Sequence, residues 1–148
     1  MTRLAVRAVI SKNHKLYMIQ TNLGDVKFVG GGLEKDETHV DALKREALEE
    51  AGIIIDISSL LGTTYQLRKD FKDSSKTFEM TSYYYAASIV EENHQRALSK
   101  NEKALAMTPI WINVDEAIRL NKKALDKNSW VKRELKVLKT LKTQLDSL

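Results

Sequence analysis

Three consecutive glycines, residues 30–32, are followed by a helix pattern that ends at a further glycine, and this combination limits the possible local folds more than any other part of the sequence. Thr38 is a favourable N-cap residue and Gly52 is a favourable stop, so the spacing predicts a helix over residues 38–51. One side of the predicted helix is apolar and comprises Val40, Leu43, Ala47, Leu48 and Ala51. Another side carries Glu46, Glu49 and Glu50, with the small Ala42 among them. The pattern therefore predicts a helix that packs with one face and collects carboxylates on another.

The three glutamates of this helix are spaced i, i+3 and i+4, which places their carboxylates on adjacent turns. Like charges at this spacing repel one another, so a bound cation is the expected compensation. Hard oxygen ligands favour Mg²⁺ or Mn²⁺, and such ions usually take further ligands from water and substrate phosphates. A solvated helix face is the alternative that the spacing alone leaves open.

The same segment resembles the Nudix box, in which glycines, glutamates and one arginine stand at fixed separations. The fixed positions are occupied here by Gly31, Glu37, Arg45, Glu46, Glu49, Glu50 and Gly52. Two positions between or beside them depart from the usual pattern: Val29 stands where many members have proline, and Asp36 where glycine is common. Neither is a ligand position, so the departures concern the shape of the loop more than its chemistry.

The resemblance implies an α/β/α sandwich around a mixed β-sheet, formed by a single domain over residues 1–148. It implies a metal site built from Glu46, Glu49 and Glu50 together with the backbone carbonyl of Gly30. The catalytic groups that it implies are Glu46, Glu49 and Arg45, and it leaves open which glutamate is the base. Glu37, Gly31 and Gly52 are expected to support the loop structure.

A further glutamate often joins the metal site in this family, from a loop well after the box. The candidates in this chain are Glu91, Glu92 and Glu102. We favour Glu102 because it precedes the strand that contains Trp111. Each of the three is otherwise an ordinary solvated loop acid.

The activity that the resemblance implies is Mg²⁺- or Mn²⁺-dependent hydrolysis of the diphosphate linkage in a nucleoside diphosphate joined to another group. Candidate substrates are a nucleotide sugar such as ADP-ribose, a modified nucleoside triphosphate and a dinucleoside polyphosphate. The box does not rank them, and it assigns no substrate-binding residues. A non-catalytic nucleotide-sensing domain of the same fold is the alternative, although such a domain has no need of the repulsive glutamates.

Outside the box, apolar and β-branched runs predict strands over residues 4–10, 15–20, 26–29, 53–57, 60–67 and 78–89. Residues 91–107 are predicted to form a loop, followed by a short strand over 109–113 and a short helix over 114–120. A closing helix is predicted from Ser129, which is a suitable N-cap. Its apolar stripe includes Trp130, and its basic face carries Lys132, Arg133, Lys136 and Lys139.

Composition and charge exclude several kinds of functional site and partner. The chain has no cysteine, so disulfides, thiolate metal sites and cysteine nucleophiles are excluded. Arg3 and Arg7 interrupt the first apolar stretch, so we expect neither a signal peptide nor a membrane partner, and we expect a cytoplasmic protein. The net charge of +4 lies mostly toward the C-terminus, but nucleic acid is not the expected partner because Trp130 falls in the apolar stripe rather than on a basic groove. A homodimer is compatible with the sequence.

Other side chains with binding chemistry have weaker signals. Tyr83, Tyr84 and Tyr85 include a candidate for base stacking, although strand alternation sends at least part of the set into the core. Arg68, Lys69 and Lys72 are candidates for phosphate contacts from a loop. His14, His39 and His94 lack metal-ligand spacing and are expected not to bind a metal.

Overall fold

The computed structural model describes residues 2–69 and 76–146 of the chain. The strands of this part are β1 (Thr2–Lys12), β2 (Lys15–Gln20), β3 (Val26–Gly32), β4 (Ile54–Lys69), β5 (Thr77–Glu91) and β6 (Thr108–Asn113). The helices are α1 (His39–Ala51), α2 (Lys100–Ala104), α3 (Val114–Lys123) and α4 (Ser129–Asp146).

The six strands form one sheet in the order β4-β5-β1-β3-β2-β6. Strands β1 and β5 run parallel, whereas the other neighbouring strands run antiparallel, so the sheet is mixed. One apolar cluster packs α1 against the sheet, and a second cluster packs α3 and α4 against the opposite face. The α/β/α sandwich around a mixed sheet is therefore confirmed.

Helix α1 begins and ends as the sequence predicts. The Thr38 side chain accepts a hydrogen bond from the Asp41 backbone N–H, and Gly52 ends the helix in the left-handed conformation with φ of +66°. The predicted packing face is partly wrong, because Val40 and Leu48 are exposed. The helix instead buries Ala42 with Leu43 and Ala47, and it also buries Glu50. The face that packs is thus rotated toward the glutamates.

Three predictions about the other elements need correction. The two strands predicted over residues 53–57 and 60–67 are one long strand, β4, whose register shifts near Ser59 and Gly62 mark irregularities in its pairing with β5. The predicted loop over residues 91–107 contains the short helix α2, which Ser99 caps through its side chain. Helix α4 begins at Ser129 as predicted, but its cap is Asn128 and not Ser129, because Asn128 Oδ1 accepts from the Trp130 backbone N–H at 3.4 Å.

Helix α4 packs against β3 and α3, with Val131, Leu135 and Leu138 buried. The lysines of its predicted basic face, Lys132, Lys136 and Lys139, are exposed as expected. Arg133 was expected on that solvated face, but it is buried, as is Glu134 beside it. No helix in the described part of the chain is long and apolar enough to cross a membrane.

Candidate active site

The glycine run, helix α1 and the segment of α2 meet at a cleft of about 380 Å³. Acidic side chains line one end of the cleft: Glu46, Glu49, Glu50 and Glu102. Basic side chains from β1, β3 and α4 line the rest: Arg3, Arg7, Lys27 and Arg133. The structure thus brings together the carboxylates predicted from the sequence, and it adds cations that the sequence did not indicate.

The glycines at the cleft allow close approaches that a side chain would block. Gly30 has φ of +151°, and a Cβ built on it would lie 2.0 Å from the Val6 carbonyl oxygen of the neighbouring strand β1. A Cβ on Gly31 would lie 2.6 Å from the Glu46 carboxylate. The glycine run therefore lets the glutamates of α1 approach the backbone of β3.

Arg45 connects the loop before α1 to the glutamates on it. Its Nε and Nη2 donate to the two carboxylate oxygens of Glu37 at 2.7 and 2.9 Å, and Nη2 also donates to the Gly32 carbonyl at 3.1 Å. Its Nη1 donates to Glu46 at 3.0 Å and to Glu49 at 3.3 Å. Hydrogen bonding to Glu37 raises the pKa of Arg45, and Arg45 in turn lowers the pKa of Glu37 to about 2. One guanidinium therefore fixes three carboxylates and the loop backbone.

Glu50 is the buried member of the acidic set, with only 1% of its surface exposed. Its Oε1 accepts from the Gly30 backbone N–H at 2.8 Å, and its Oε2 lies 3.7 Å from Lys27 Nζ. Burial raises the pKa of Glu50 to about 7; Lys27 opposes this shift, whereas Glu46 and Glu102 add to it. A buried carboxylate beside other acids is costly unless a cation compensates it.

Glu102 is the loop acid that lines the cleft, whereas Glu91 and Glu92 lie outside the lining. The loop that carries it is fixed to the end of α1, because the His94 N–H donates to the Gly52 carbonyl and the Ala97 N–H donates to the Glu49 carbonyl. Glu102 Oε1 accepts from the Ser99 backbone N–H at 2.9 Å, which completes a capping box on α2. Its position in the cleft agrees with our preference, and its role as a ligand stays a prediction.

The chemistry of this end of the cleft fits a divalent cation. Glu50 Oε2 is buried without a hydrogen-bond partner, and the charges of Glu46 and Glu102 act on the same carboxylate. Among the described residues, however, no three acidic or imidazole side chains already converge on one point as a coordination shell. The reason lies in the present contacts, since Arg45 holds Glu46 and Glu49 and the Gly30 N–H holds Glu50.

The indole of Trp130 forms part of the cleft wall, a position that the predicted apolar stripe of α4 did not indicate. Trp130 Nε1 donates to the buried Asp25 carboxylate at 2.7 Å, and Lys27 Nζ lies 5.6 Å from the centre of the indole ring. The hydrogen bond to Asp25 and the Lys27 cation over the ring together fix the position of the indole. Lys27 stands four positions before Gly31, and its closeness to the glycine run was the sign in the sequence that could have indicated a cation at the cleft.

The tyrosine run does not line the cleft. Tyr84 is buried and donates from its hydroxyl to Glu134 at 2.9 Å. Tyr83 and Tyr85 contact His39, whose Nδ1 lies 2.7 Å from the Tyr85 hydroxyl oxygen. Base stacking by this run is therefore not supported at the cleft. Lys72 and the side chains of Arg68 and Lys69 lie outside the described residues.

These observations define the class of the protein. It is a single-domain α/β/α protein in which a glycine-rich strand end and an acidic helix meet at one cleft. The model of the NUDIX domain matches residues 1–134 of the chain. The chain belongs to the Nudix hydrolase family. Nudix hydrolase 12, mitochondrial, from Arabidopsis thaliana is 31% identical over 118 residues, which cover 75% of this chain and 53% of that protein. The chain thus spans about half the length of this relative.

Solved structures share the same architecture. A NUDIX hydrolase from Nitrosomonas europaea superposes with a TM-score of 0.67 at 20% identity, covering 92% of this chain and 87% of the other. An ADP-ribose pyrophosphatase from Streptococcus suis superposes with a TM-score of 0.55 at 18% identity, covering 76% of this chain and 75% of the other. At these identities the likeness concerns the fold.

Proposed function

We propose that the chain is a divalent-metal-dependent hydrolase that cleaves the diphosphate linkage of a nucleoside diphosphate joined to another group. The observation that carries the proposal is the buried Glu50 carboxylate, which has an oxygen without a hydrogen bond in a cleft shared with Glu46, Glu49 and Glu102. A buried carboxylate close to other acids lowers the stability of the fold unless a cation compensates its charge. The arrangement is therefore consistent with a cation that binds there.

The proposed ligands of Mg²⁺ or Mn²⁺ are the carboxylates of Glu46, Glu49, Glu50 and Glu102, with the Gly30 carbonyl. When bound, the metal neutralises charge on the diphosphate and favours ionisation of water near neutral pH. In the structure Gly30 contacts the site through its N–H, so ligation by its carbonyl is part of the proposal.

The chain's own groups position the reaction. Arg45 holds Glu46 and Glu49 on one side of the cleft, and Glu37 fixes Arg45 in turn. One of the two held glutamates accepts the proton of the attacking water, whose oxygen forms the new bond to phosphorus. The bridging oxygen leaves with the electron pair and takes up a proton, so two phosphate-ended products form without a covalent enzyme intermediate.

The test is a hydrolysis screen of the full chain with Mg²⁺, over ADP-ribose, nucleoside triphosphates and dinucleoside polyphosphates, with identification of the products by mass spectrometry. We expect two phosphate-containing products and no turnover in excess EDTA. Undiminished turnover in EDTA would contradict the metal requirement. Tight nucleotide binding without any product would favour the sensing domain instead.

A second experiment addresses the role of Glu102. Glu102→Gln removes a carboxylate that lines the cleft, so we expect a loss of turnover of about 10- to 100-fold and weaker Mg²⁺ dependence. Glu92→Gln is the matched control, because Glu92 is an exposed acid of the same loop outside the cleft. Equal rates for both variants would remove Glu102 from the proposed ligand set.

A further inference from the structure

Two buried arginines lie in the floor of the cleft, next to its acidic end. Arg7 of β1 and Arg133 of α4 are each 5% exposed, and both line the cleft. Arg7 faces the same side of β1 as Ala5 and Arg3, which also line the cleft. Two guanidiniums this deeply buried require anionic partners.

Glu134 is the carboxylate that accompanies this pair, and its oxygens are already engaged. Glu134 Oε1 accepts from the Phe28 backbone N–H and from Arg133 Nη2, both at 3.2 Å. Its Oε2 accepts from the Tyr84 hydroxyl at 2.9 Å. The hydrogen bonds of Glu134 are therefore made to Arg133 and the surrounding structure, and none of them is made to Arg7.

Arg7 is left without a carboxylate of its own. Within residues 2–69 and 76–146 no acidic side chain forms an ion pair with Arg7, and its Nε is buried without a hydrogen-bond partner. The Nε of Arg133 lacks a partner as well. Burial and the neighbouring charge of Arg133 lower the pKa of Arg7, and the charges of Glu134 and Glu50 oppose this shift. Arg133 thus has a direct anionic partner in Glu134, whereas Arg7 is under the influence of Glu134 and Glu50 without direct contact to either.

The arginine pair is adjacent to the site proposed for hydrolysis. Arg7 pairs with Gly30 across the β1–β3 ladder, and the N–H of Gly30 donates to Glu50. The remaining cations line the same cleft: Lys27 lies 3.7 Å from Glu50 and beside Trp130, and Arg3 lies against Gly32. A substrate at the acidic end thus has anion-binding groups next to it.

We propose that Arg7 and Arg133 form an anion subsite that holds a phosphate of the substrate other than the two that flank the scissile bond. This inference rests on the proposed function, and it narrows the substrate class. A nucleotide sugar has two phosphates, and both are required at the acidic end where the bond is cleaved. A nucleoside triphosphate or a dinucleoside polyphosphate with three or more phosphates has a further phosphate, which supplies the direct anionic contact that Arg7 lacks. The chain therefore prefers substrates with at least three consecutive phosphates.

The direct test uses inorganic tripolyphosphate as a probe, with EDTA present so that no metal contributes to binding. Calorimetry is expected to show binding to the native chain and at least tenfold weaker binding to Arg7→Met. Arg119→Met is the matched control, since Arg119 is exposed and pairs with Glu116 on α3, far from the cleft lining. Equal affinity of Arg7→Met and the native chain would overturn the subsite.

Thermal unfolding separates this role from a structural one. A buried cation without a partner destabilises the fold, so Arg7→Met is expected to unfold at the same temperature as the native chain or higher. Tripolyphosphate should raise the Tm of the native chain but not that of the variant. A variant that is less stable and still gains the native Tm shift from tripolyphosphate would assign Arg7 to structure and overturn the proposal. Arg7→Gln provides a second replacement with the same expected loss of the shift.

Turnover then tests the substrate class. We expect a higher kcat/KM for a nucleoside triphosphate than for ADP-ribose, and at least a tenfold fall in that ratio in Arg7→Met. Hydrolysis of both substrates with a ratio that Arg7→Met leaves unchanged would overturn the subsite while the hydrolase assignment stands. Absence of all hydrolysis, with tripolyphosphate binding that depends on Arg7, would support the anion subsite and contradict the hydrolase assignment.

Discussion

Arg45 and Glu37 form a two-pronged ion pair, with Arg45 Nε and Nη2 at 2.7 and 2.9 Å from the two carboxylate oxygens of Glu37. The pair joins the loop after the glycine run to the middle of α1. Because the remaining nitrogen, Nη1, donates to Glu46 and Glu49, the same guanidinium fixes both the loop and the glutamates. A lysine cannot reproduce this geometry, since its charge is a single point without a planar fork.

Replacing Arg45 with lysine should affect both stability and turnover. We expect Arg45→Lys to lower the free energy of unfolding by about 1–3 kcal/mol, because several charge-assisted hydrogen bonds are lost. Turnover should fall by about 10- to 100-fold, since Glu46 and Glu49 lose the group that orients them. Urea unfolding and steady-state kinetics measure the two effects. Native values for both would show that the network is dispensable.

Gly30 and Gly62 provide a matched pair of glycine substitutions. Gly30→Ala places a Cβ within 2.0 Å of the Val6 carbonyl at a positive φ, whereas a Cβ on Gly62 meets no atom within 4 Å. We expect Gly30→Ala to cost at least about 2 kcal/mol of stability. Gly62→Ala should leave stability unchanged or raise it by up to about 1 kcal/mol. Similar chemical denaturation midpoints for the two variants would contradict the close approach of β1 and β3.

The sequence predicted those residues of the site that lie close together along the chain. Glu46, Glu49, Arg45 and Glu37 lie within one helix and the loop before it, so a 3.6-residue period and a fixed-spacing motif place them together. The mixed sheet followed from the same resemblance, and most strand positions followed from apolar runs.

The rest of the site depends on contacts between residues far apart in the sequence. Arg7 and Arg133 are 126 positions apart, and both line the cleft because α4 packs against β3, the neighbour of β1 in the sheet. Helical periodicity placed Arg133 on the solvated face, since the angle around a helix does not show how wide the buried face is. The same reason explains the burial of Glu134, whose partners lie on β3 and β5. Val40 and Leu48 are exposed because α1 is rotated so that Glu50 faces the cleft.

Glu134 should contribute to the acid sensitivity of the fold. Burial opposes ionisation of Glu134, but Arg133, Arg7 and the Tyr84 hydroxyl outweigh it, so its pKa lies below the ordinary value. A lowered folded-state pKa stabilises the protein above the unfolded-state pKa of about 4.3, and this stabilisation is lost as pH falls through the folded-state value. Glu134→Gln should therefore be less stable by about 3–5 kcal/mol at neutral pH, with a smaller further loss below about pH 4.

The control for this prediction is Tyr84→Phe, which removes one hydrogen bond to Glu134 and leaves the charges in place. We expect a cost of about 1–2 kcal/mol and a pH dependence close to that of the native chain. Urea unfolding at neutral and acidic pH measures both variants. An acid sensitivity that is identical in Glu134→Gln and the native chain would contradict the lowered pKa.

Trp130 offers a spectroscopic signal at the cleft. The chain has two tryptophans, and Trp111 contacts Tyr17 away from the cleft lining, so Trp111→Phe leaves Trp130 as the sole indole. Binding of a nucleoside diphosphate is expected to change the fluorescence of that variant, because the ligand displaces water from the indole face. Calorimetric binding without any change in emission would place the nucleotide away from Trp130.

We propose that the glutamates of α1 form a metal-dependent catalytic site, and this claim is tested by the Mg²⁺-dependent kcat of Glu50→Gln beside that of Glu34→Gln. Glu34 lies in the same acidic segment with its side chain 69% exposed, whereas Glu50 is buried in the cleft. For Glu50→Gln we expect kcat to fall by about 10² to 10⁵, or about 3–7 kcal/mol of transition-state stabilisation, with an unchanged or higher Tm without metal. Glu34→Gln should stay within about threefold of the native rate, since substitutions at exposed sites have small effects. Native turnover in both variants would contradict the claim and place the chemistry on other residues.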